Sequence, residues 1–140
     1  MDFTGKVVVI TGASSGIGEA LVYAFADRGA KVVMGARNSA KLAEIAAQLF
    51  TRGIESAFEA TDVTREEDCK RLINKALSAF GRIDILICNA GISMRALFDD
   101  VQLDVLRQLM DVNFWGTVYC AKYALPALQT AKEHWSEFRR

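Results

Sequence analysis

Residues 11–18 read TGASSGIG, with three glycines in eight residues, and they stand between the apolar run Val7-Val8-Val9-Ile10 and a helix-periodic segment. A strand, a glycine-rich turn and a helix start in immediate succession leave few folds open. Glycine lets the backbone turn tightly and lets a ligand approach without meeting a Cβ. The first N–H groups of the helix lack intrahelical partners, and the helix dipole favours negative charge there. Ser14 and Ser15 add hydroxyl donors at the opening. The stretch therefore has the makings of a pyrophosphate site at a helix N-terminus. The alternative is a glycine-rich turn that binds nothing.

The rest of the chain repeats the alternation. Residues 6–10 (KVVVI) form a β-branched run too short for a helix. Apolar residues then fall at Ile17, Ala20, Leu21, Ala24 and Phe25, a helical rhythm that predicts one buried face. Residues 31–36 (KVVMGA) read as a second strand, and Leu42, Ile45, Ala46 and Leu49 mark a second helix closed near Gly53. A weaker strand is expected over 54–60. Cys69, Leu72, Ile73, Ala76, Leu77 and Phe80 mark a third helix, with Thr64 as its expected N-cap and Gly81 at its end. Residues 83–88 (IDILIC) predict a fourth strand, apolar enough to be covered on both faces. Two more helices are expected, over about 99–112 and from 114 to at least 128, with Pro126 kinking the last or starting a new turn. Strands alternating with helices imply βαβ units, a parallel sheet and helices on both faces.

At 140 residues the chain is one domain with room for a core, and its 17 basic and 17 acidic side chains give no net field to attract nucleic acid or an anionic membrane. No apolar run approaches the roughly 20 residues of a membrane span. The start, Met1-Asp2-Phe3-Thr4, has no basic region and no long apolar segment, so no secretion signal is expected; Cys69, Cys88 and Cys120 are odd in number and widely spaced. Reduced thiols acting as small apolar fillers, in a cytoplasmic protein, are the expectation.

Three positions sharpen the anion site. Arg37, in Gly35-Ala36-Arg37-Asn38, stands at the end of the second strand, where a carboxylate would hold a ribose 2′-hydroxyl and an arginine would meet a 2′-phosphate. NADP is thus favoured over NAD. Asp62-Val63 follows the third strand; Asp62 is placed either to accept from an adenine amino group or to cap the next helix. Asn89-Ala90-Gly91 follows the fourth strand, where small residues suit a cofactor crossing the switch point.

Taken in order, TGASSGIG, Asp62-Val63, Cys88-Asn89-Ala90-Gly91 and Asp111-Val112-Asn113 resemble the motif set of the short-chain dehydrogenase/reductase family. The first matches its TGxxxGIG signature, and the third matches NNAG except at Cys88, a small side chain in place of asparagine. The likeness runs from about residue 3 to 128 and leaves 129–140 as an atypical helical tail. It implies a partial Rossmann, or doubly wound, parallel sheet of about four strands. It also implies hydride transfer between a nicotinamide and an alcohol or carbonyl. The cofactor residues it implies are Gly12, Ser14, Ser15, Gly16, Ile17 and Gly18, then Arg37 and Asn38, Asp62 and Val63, and Asn89, Ala90 and Gly91. Asn113 is the only counterpart of the family's catalytic set, which pairs an asparagine supporting a proton relay with a serine and Tyr-x-x-x-Lys.

The serine and the Tyr-x-x-x-Lys pair have no counterpart in residues 1–140: Tyr23 and Tyr123 are followed four residues on by Asp27 and Ala127, and Tyr119 and Lys122 are three apart. Ser136 lies on no expected strand, and His134 stands alone in the tail. The implied reading is a C-terminally truncated NADP(H)-dependent oxidoreductase, inactive by itself. Two further readings stay open: a non-catalytic, self-associating dinucleotide-binding module, and a folding fragment with no ligand. Residues 83–88 become an unprotected sheet edge in such a chain, so a homo-oligomer is expected, with Trp115, Trp135 and Phe138 as candidate contacts.

Overall fold

In a computed structural model, residues 1–138 are described, with side chains to Lys132. The side chains of His134, Trp135, Ser136 and Phe138 lie outside the described residues. The chain runs β1 (Val7–Thr11), α1 (Gly16–Ala26), β2 (Lys31–Ala36), α2 (Ser39–Thr51), β3 (Ser56–Ala60), α3 (Glu66–Phe80), β4 (Ile85–Ile87), α4 (Leu103–Met110), a π-helical turn (Asp111–Trp115) and α5 (Gly116–Phe138). The sheet is parallel, in the order β3-β2-β1-β4. The order reverses between β2 and β4, so β1 sits at the switch point, with the turn after it at the carboxyl edge.

Period-two alternation sorts β1 between two cores. Val8 and Ile10 pack with Val22, Leu42, Ile45 and Leu49, beneath α1 and α2. Val7 and Val9 pack with Leu72, Ile73, Ala76 and Ala124, beneath α3 and α5. Burying each Val, Leu or Ile side chain contributes about 1.5–3 kcal/mol, so β1, covered on both faces, anchors the domain.

Several expectations are corrected. The apolar rhythm from Ile17 is offset from the inner face: Gly18, Val22 and Ala26 are the buried residues of α1, Leu21 and Phe25 pack half-buried at its edge, and Ile17 is 73% exposed. The helix reads GIGEALVYAFA, apolar nearly all round, so periodicity does not choose its inner face. β4 pairs over three residues rather than six. At its start the Asp84 carboxylate accepts from the Val7 amide at 2.9 Å and is gripped by Arg82. At its end the Asn89 and Ala90 amides turn to the Thr11 hydroxyl instead of a strand carbonyl. β4 also has a neighbour on one side only, and its residues are half-buried rather than covered on both faces.

β3 starts at Ser56 because the Ile54 amide is spent closing α2 on Leu49 O. Thr64 is not the N-cap of α3. That position belongs to Arg65, which makes no side-chain cap, while the Thr64 amide and hydroxyl both donate to Asp62 Oδ1. The two expected last helices join through the π-helical turn, and α5 runs on past Pro126 instead of starting afresh. Packing of Ala124, Ala127 and Leu128 on the sheet outweighs the one backbone bond that proline forgoes. Among the described residues no helix is long and apolar enough to cross a membrane.

Candidate functional site

The turn after β1 is built by close approach. Gly12 has φ +65°, and a Cβ there would lie 2.9 Å from Ala90 Cα and from Asn89 Nδ2. A Cβ on Gly18 would lie 2.0 Å from the Gly12 carbonyl oxygen. Gly18 thus lets the first turn of α1 settle directly on the turn it follows. Ser15 precedes α1 in extended conformation and makes no side-chain cap, and the first bond of the helix runs from Glu19 N to Ser15 O. The preceding amides therefore point along the axis into the opening.

Thr11 pins this turn to the far strand. Its hydroxyl oxygen accepts from the Asn89 and Ala90 amides, each at 3.1 Å, and the Asn89 side chain donates to Gly12 O at 3.2 Å. Thr11 is buried. Thr11→Val keeps the shape but leaves both amides unpaired, at about 1–3 kcal/mol each. A fall in Tm of roughly 5–15 °C is expected, with Thr11→Ser close to the parent. A Tm for Thr11→Val within about 2 °C of the parent contradicts this.

At the other end stand β2 and β3. Arg37 is exposed, and among the described residues its side chain enters no ion pair. Asn38 caps α2, its oxygen accepting from Lys41 N at 3.1 Å. Asp62 forms a turn: Oδ1 takes the Thr64 amide at 3.0 Å and its hydroxyl at 2.7 Å. Burial pushes the Asp62 carboxyl up, but the Thr64 bonds and the charges of Arg37 and Arg65 outweigh it and hold it below the ordinary carboxylate range. Asp68, itself nearly buried, accepts the Asp62 amide at 2.9 Å and fixes the turn to α3.

Between these ends runs a groove of about 680 Å³, a size suited to a cofactor. Gly12, Ser14, Ser15 and Ile17 line one end, Arg37, Asn38, Asp62 and Val63 the other, and Asn89, Ala90 and Gly91 the crossing. Of the positions named from sequence, Gly16, Gly18 and Asn113 do not line it. Gly18 acts from beneath, as packing. Asn113 lies in the π-helical turn and clamps Ile92 from both sides: the Ile92 amide donates to its Oδ1 at 2.9 Å, and its Nδ2 donates to Ile92 O at 2.8 Å.

Sequence reasoning missed Thr11, Thr61, Thr64, Gln108 and Asp111. Thr61, Thr64, Gln108 and Asp111 line the groove, and Thr11 holds it from behind. Thr11 and Asp111 each open a quoted motif and were legible there; Gln108 sits on α4, whose placement no spacing reveals. Among the described residues no group of three or more His, Cys, Asp or Glu is arranged to hold a metal ion.

Comparisons agree with this geometry. An "11-beta-hydroxysteroid dehydrogenase A" from Sesamum indicum is 42% identical over 133 residues, covering 94% of this chain and 38% of the relative. An "11-beta-hydroxysteroid dehydrogenase-like 2" from Arabidopsis thaliana is 42% identical, covering 92% of this chain and 42% of the relative. The chain thus spans less than half the length of these relatives. Among solved structures, an alcohol dehydrogenase of Thermococcus sibiricus complexed with 5-hydroxy-NADP superposes with TM-score 0.88 at 33% identity, over 90% of this chain and 54% of that one. A Burkholderia phymatum short-chain dehydrogenase/reductase in complex with NAD superposes with TM-score 0.86 at 30% identity, over 91% and 46%. A sequence profile of the family described as short chain dehydrogenase matches residues 6–135, nearly the whole chain, and the protein belongs to that family.

Proposed function

We propose that this chain forms the dinucleotide-holding part of an NADP(H)-dependent short-chain oxidoreductase, and that residues 1–140 alone do not turn over substrate. The observation that carries the reading is the cradle. At Gly12 and Gly18 any Cβ would collide with backbone, and the groove they open ends at Arg37. The bound nicotinamide supplies a hydride donor or acceptor, for an alcohol or carbonyl substrate.

The chain's own residues hold and orient. Amides at the start of α1, with Ser14 and Ser15, receive the diphosphate. Arg37 meets a 2′-phosphate, with Asn38 beside it as the cap of α2. Asp62 and Val63 border the adenine, and Asn89, Ala90 and Gly91 form the floor of the crossing. Asn113 belongs to the reacting end, where its clamp on Ile92 fixes the segment beyond β4. General acid/base catalysis supplies about 10²–10⁴-fold, and no Tyr-x-x-x-Lys pair is present in residues 1–140 to supply it.

A second reading, a self-associating dinucleotide-binding module, draws on the surface around the edge strand. Leu97, Phe98, Leu103, Phe114 and Trp115 are exposed on the segments following β4. A homo-oligomer through this face is its consequence. Three free cysteines fit a cytoplasmic setting. Calorimetry with NADPH and NADH tests the main reading: NADPH binding at least about tenfold tighter is expected, as one charge-assisted phosphate contact provides. A turnover assay on the same sample should give no rate above background. Equal, weak binding of both cofactors contradicts the preference. Turnover comparable to an intact reductase contradicts the inactivity. No protection from heat unfolding by either cofactor at millimolar concentration leaves a folding fragment without a ligand.

A further inference from the structure

All three cysteines meet behind the crossing of the groove. Cys69 comes from α3, Cys120 from α5, and Cys88 from the chain just beyond β4. Cys69 and Cys120 are fully enclosed, whereas Cys88 is half-buried. Cys120 packs with Cys69 in one buried cluster, and Cys88 packs against that cluster. Cys69 gives its own proton to Val63 O at 3.6 Å, deep in the packed layer. Cys120 and Thr117, the neighbours of Cys88, outweigh burial and draw the Cys88 thiol down to about 7. Contact with Cys69 and Cys88, together with burial, pushes the Cys120 thiol up. One sulfur is thus part-exposed and ready to ionise, and a protonated thiol stands against it.

We propose that Cys88 and Cys120 are a peroxide-sensitive dithiol, in which Cys88 takes the oxidant and Cys120 closes the disulfide. The Cys88 sulfur attacks one oxygen of hydrogen peroxide; the S–O bond forms as the O–O bond breaks, giving a sulfenic acid and water. The Cys120 sulfur then attacks the Cys88 sulfur. The S–S bond forms, the S–O bond breaks, and the hydroxyl departs with the Cys120 proton as a second water. The pair of electrons lost by the thiols reduces the peroxide. Cys69 stays out because no face of it is open to the oxidant. The crosslink ties α5 to the residue directly before Asn89, the side chain that holds the Gly12 carbonyl.

The test is to treat the whole chain with hydrogen peroxide, unfold it, alkylate the remaining thiols and map the peptides by mass spectrometry. Free thiols should fall from three to one, leaving Cys69 alkylated and Cys88 joined to Cys120 within one chain. Cys69→Ser should still form the link, and Cys88→Ser should keep both remaining thiols. A full set of free thiols after treatment overturns the proposal. So does a link from Cys69 to Cys120, a link between two chains, or Cys88 passing to sulfinic acid unlinked. The map of the parent chain decides the matter even where a variant fails to fold.

Discussion

Gly18→Ala should abolish measurable dinucleotide binding and lower stability by about 3 kcal/mol. The added methyl would lie 2.0 Å from Gly12 O and 2.5 Å from Asn89 Nδ2, and the first of these is backbone. Relief requires α1 to lift from the turn, which moves the very amides that receive the diphosphate. Affinity should fall at least about 100-fold, about 2.7 kcal/mol of binding energy. Tm should fall by roughly 10 °C. Ser15→Ala, a few residues away, removes a hydroxyl that makes no capping bond, and a surface change of that kind stays within about 0.5 kcal/mol. A Gly18→Ala protein with the stability and NADPH affinity of the parent would count against the cradle as described.

Arg37→Asp should reverse the cofactor preference. An arginine–phosphate contact is worth about 1.5–3 kcal/mol, or about 10–150-fold, and a carboxylate in its place repels the 2′-phosphate while accepting from a 2′-hydroxyl. NADH should then bind more tightly than NADPH, as read by calorimetry on both proteins. An unchanged ratio contradicts the assignment. The substitution also removes one of the charges holding the Asp62 carboxyl low. A group whose folded pKa is depressed gives stability that is present above its unfolded pKa and is lost as pH falls through the folded value. The Asp62 turn in the parent should therefore persist to below the ordinary carboxylate range, and in Arg37→Asp it should come apart at higher pH.

Much of this was legible because local chemistry and global packing agree. Residues 31–36 carry the β-branched pair Val32-Val33, have strand length, and become β2 at those bounds. The turn glycines are fixed by collisions that any chain entering this fold must avoid. Other features rest on competition that spacing cannot display. The inner face of α1 is chosen by Gly18 against Gly12, not by its apolar pattern. Thr64 looked like a helix cap, but α3 starts behind Arg65, and the Thr64 amide and hydroxyl both turn back to donate to the Asp62 carboxylate. β4 was overestimated because Asp84 and Asn89 divert the backbone bonds at its two ends. Likewise the junction of α4 and α5 is held by Asn113 reaching a segment 21 residues earlier, a contact no period reveals.

The most direct measurement is an amide chemical-shift titration of the whole chain with NADPH. The central claim is that backbone N–H groups at the start of α1 hold a diphosphate. Amides of Ser14, Ser15, Gly16, Ile17 and Gly18 should shift most, followed by Arg37 and Ala90. Those of Phe50, Gly53 and Ile54, which line a separate apolar hollow beside β3, should stay still. Saturating shifts in this pattern are the expected result. Titration to millimolar NADPH that leaves the 14–18 amides unmoved, or moves only the β3 hollow, contradicts the account.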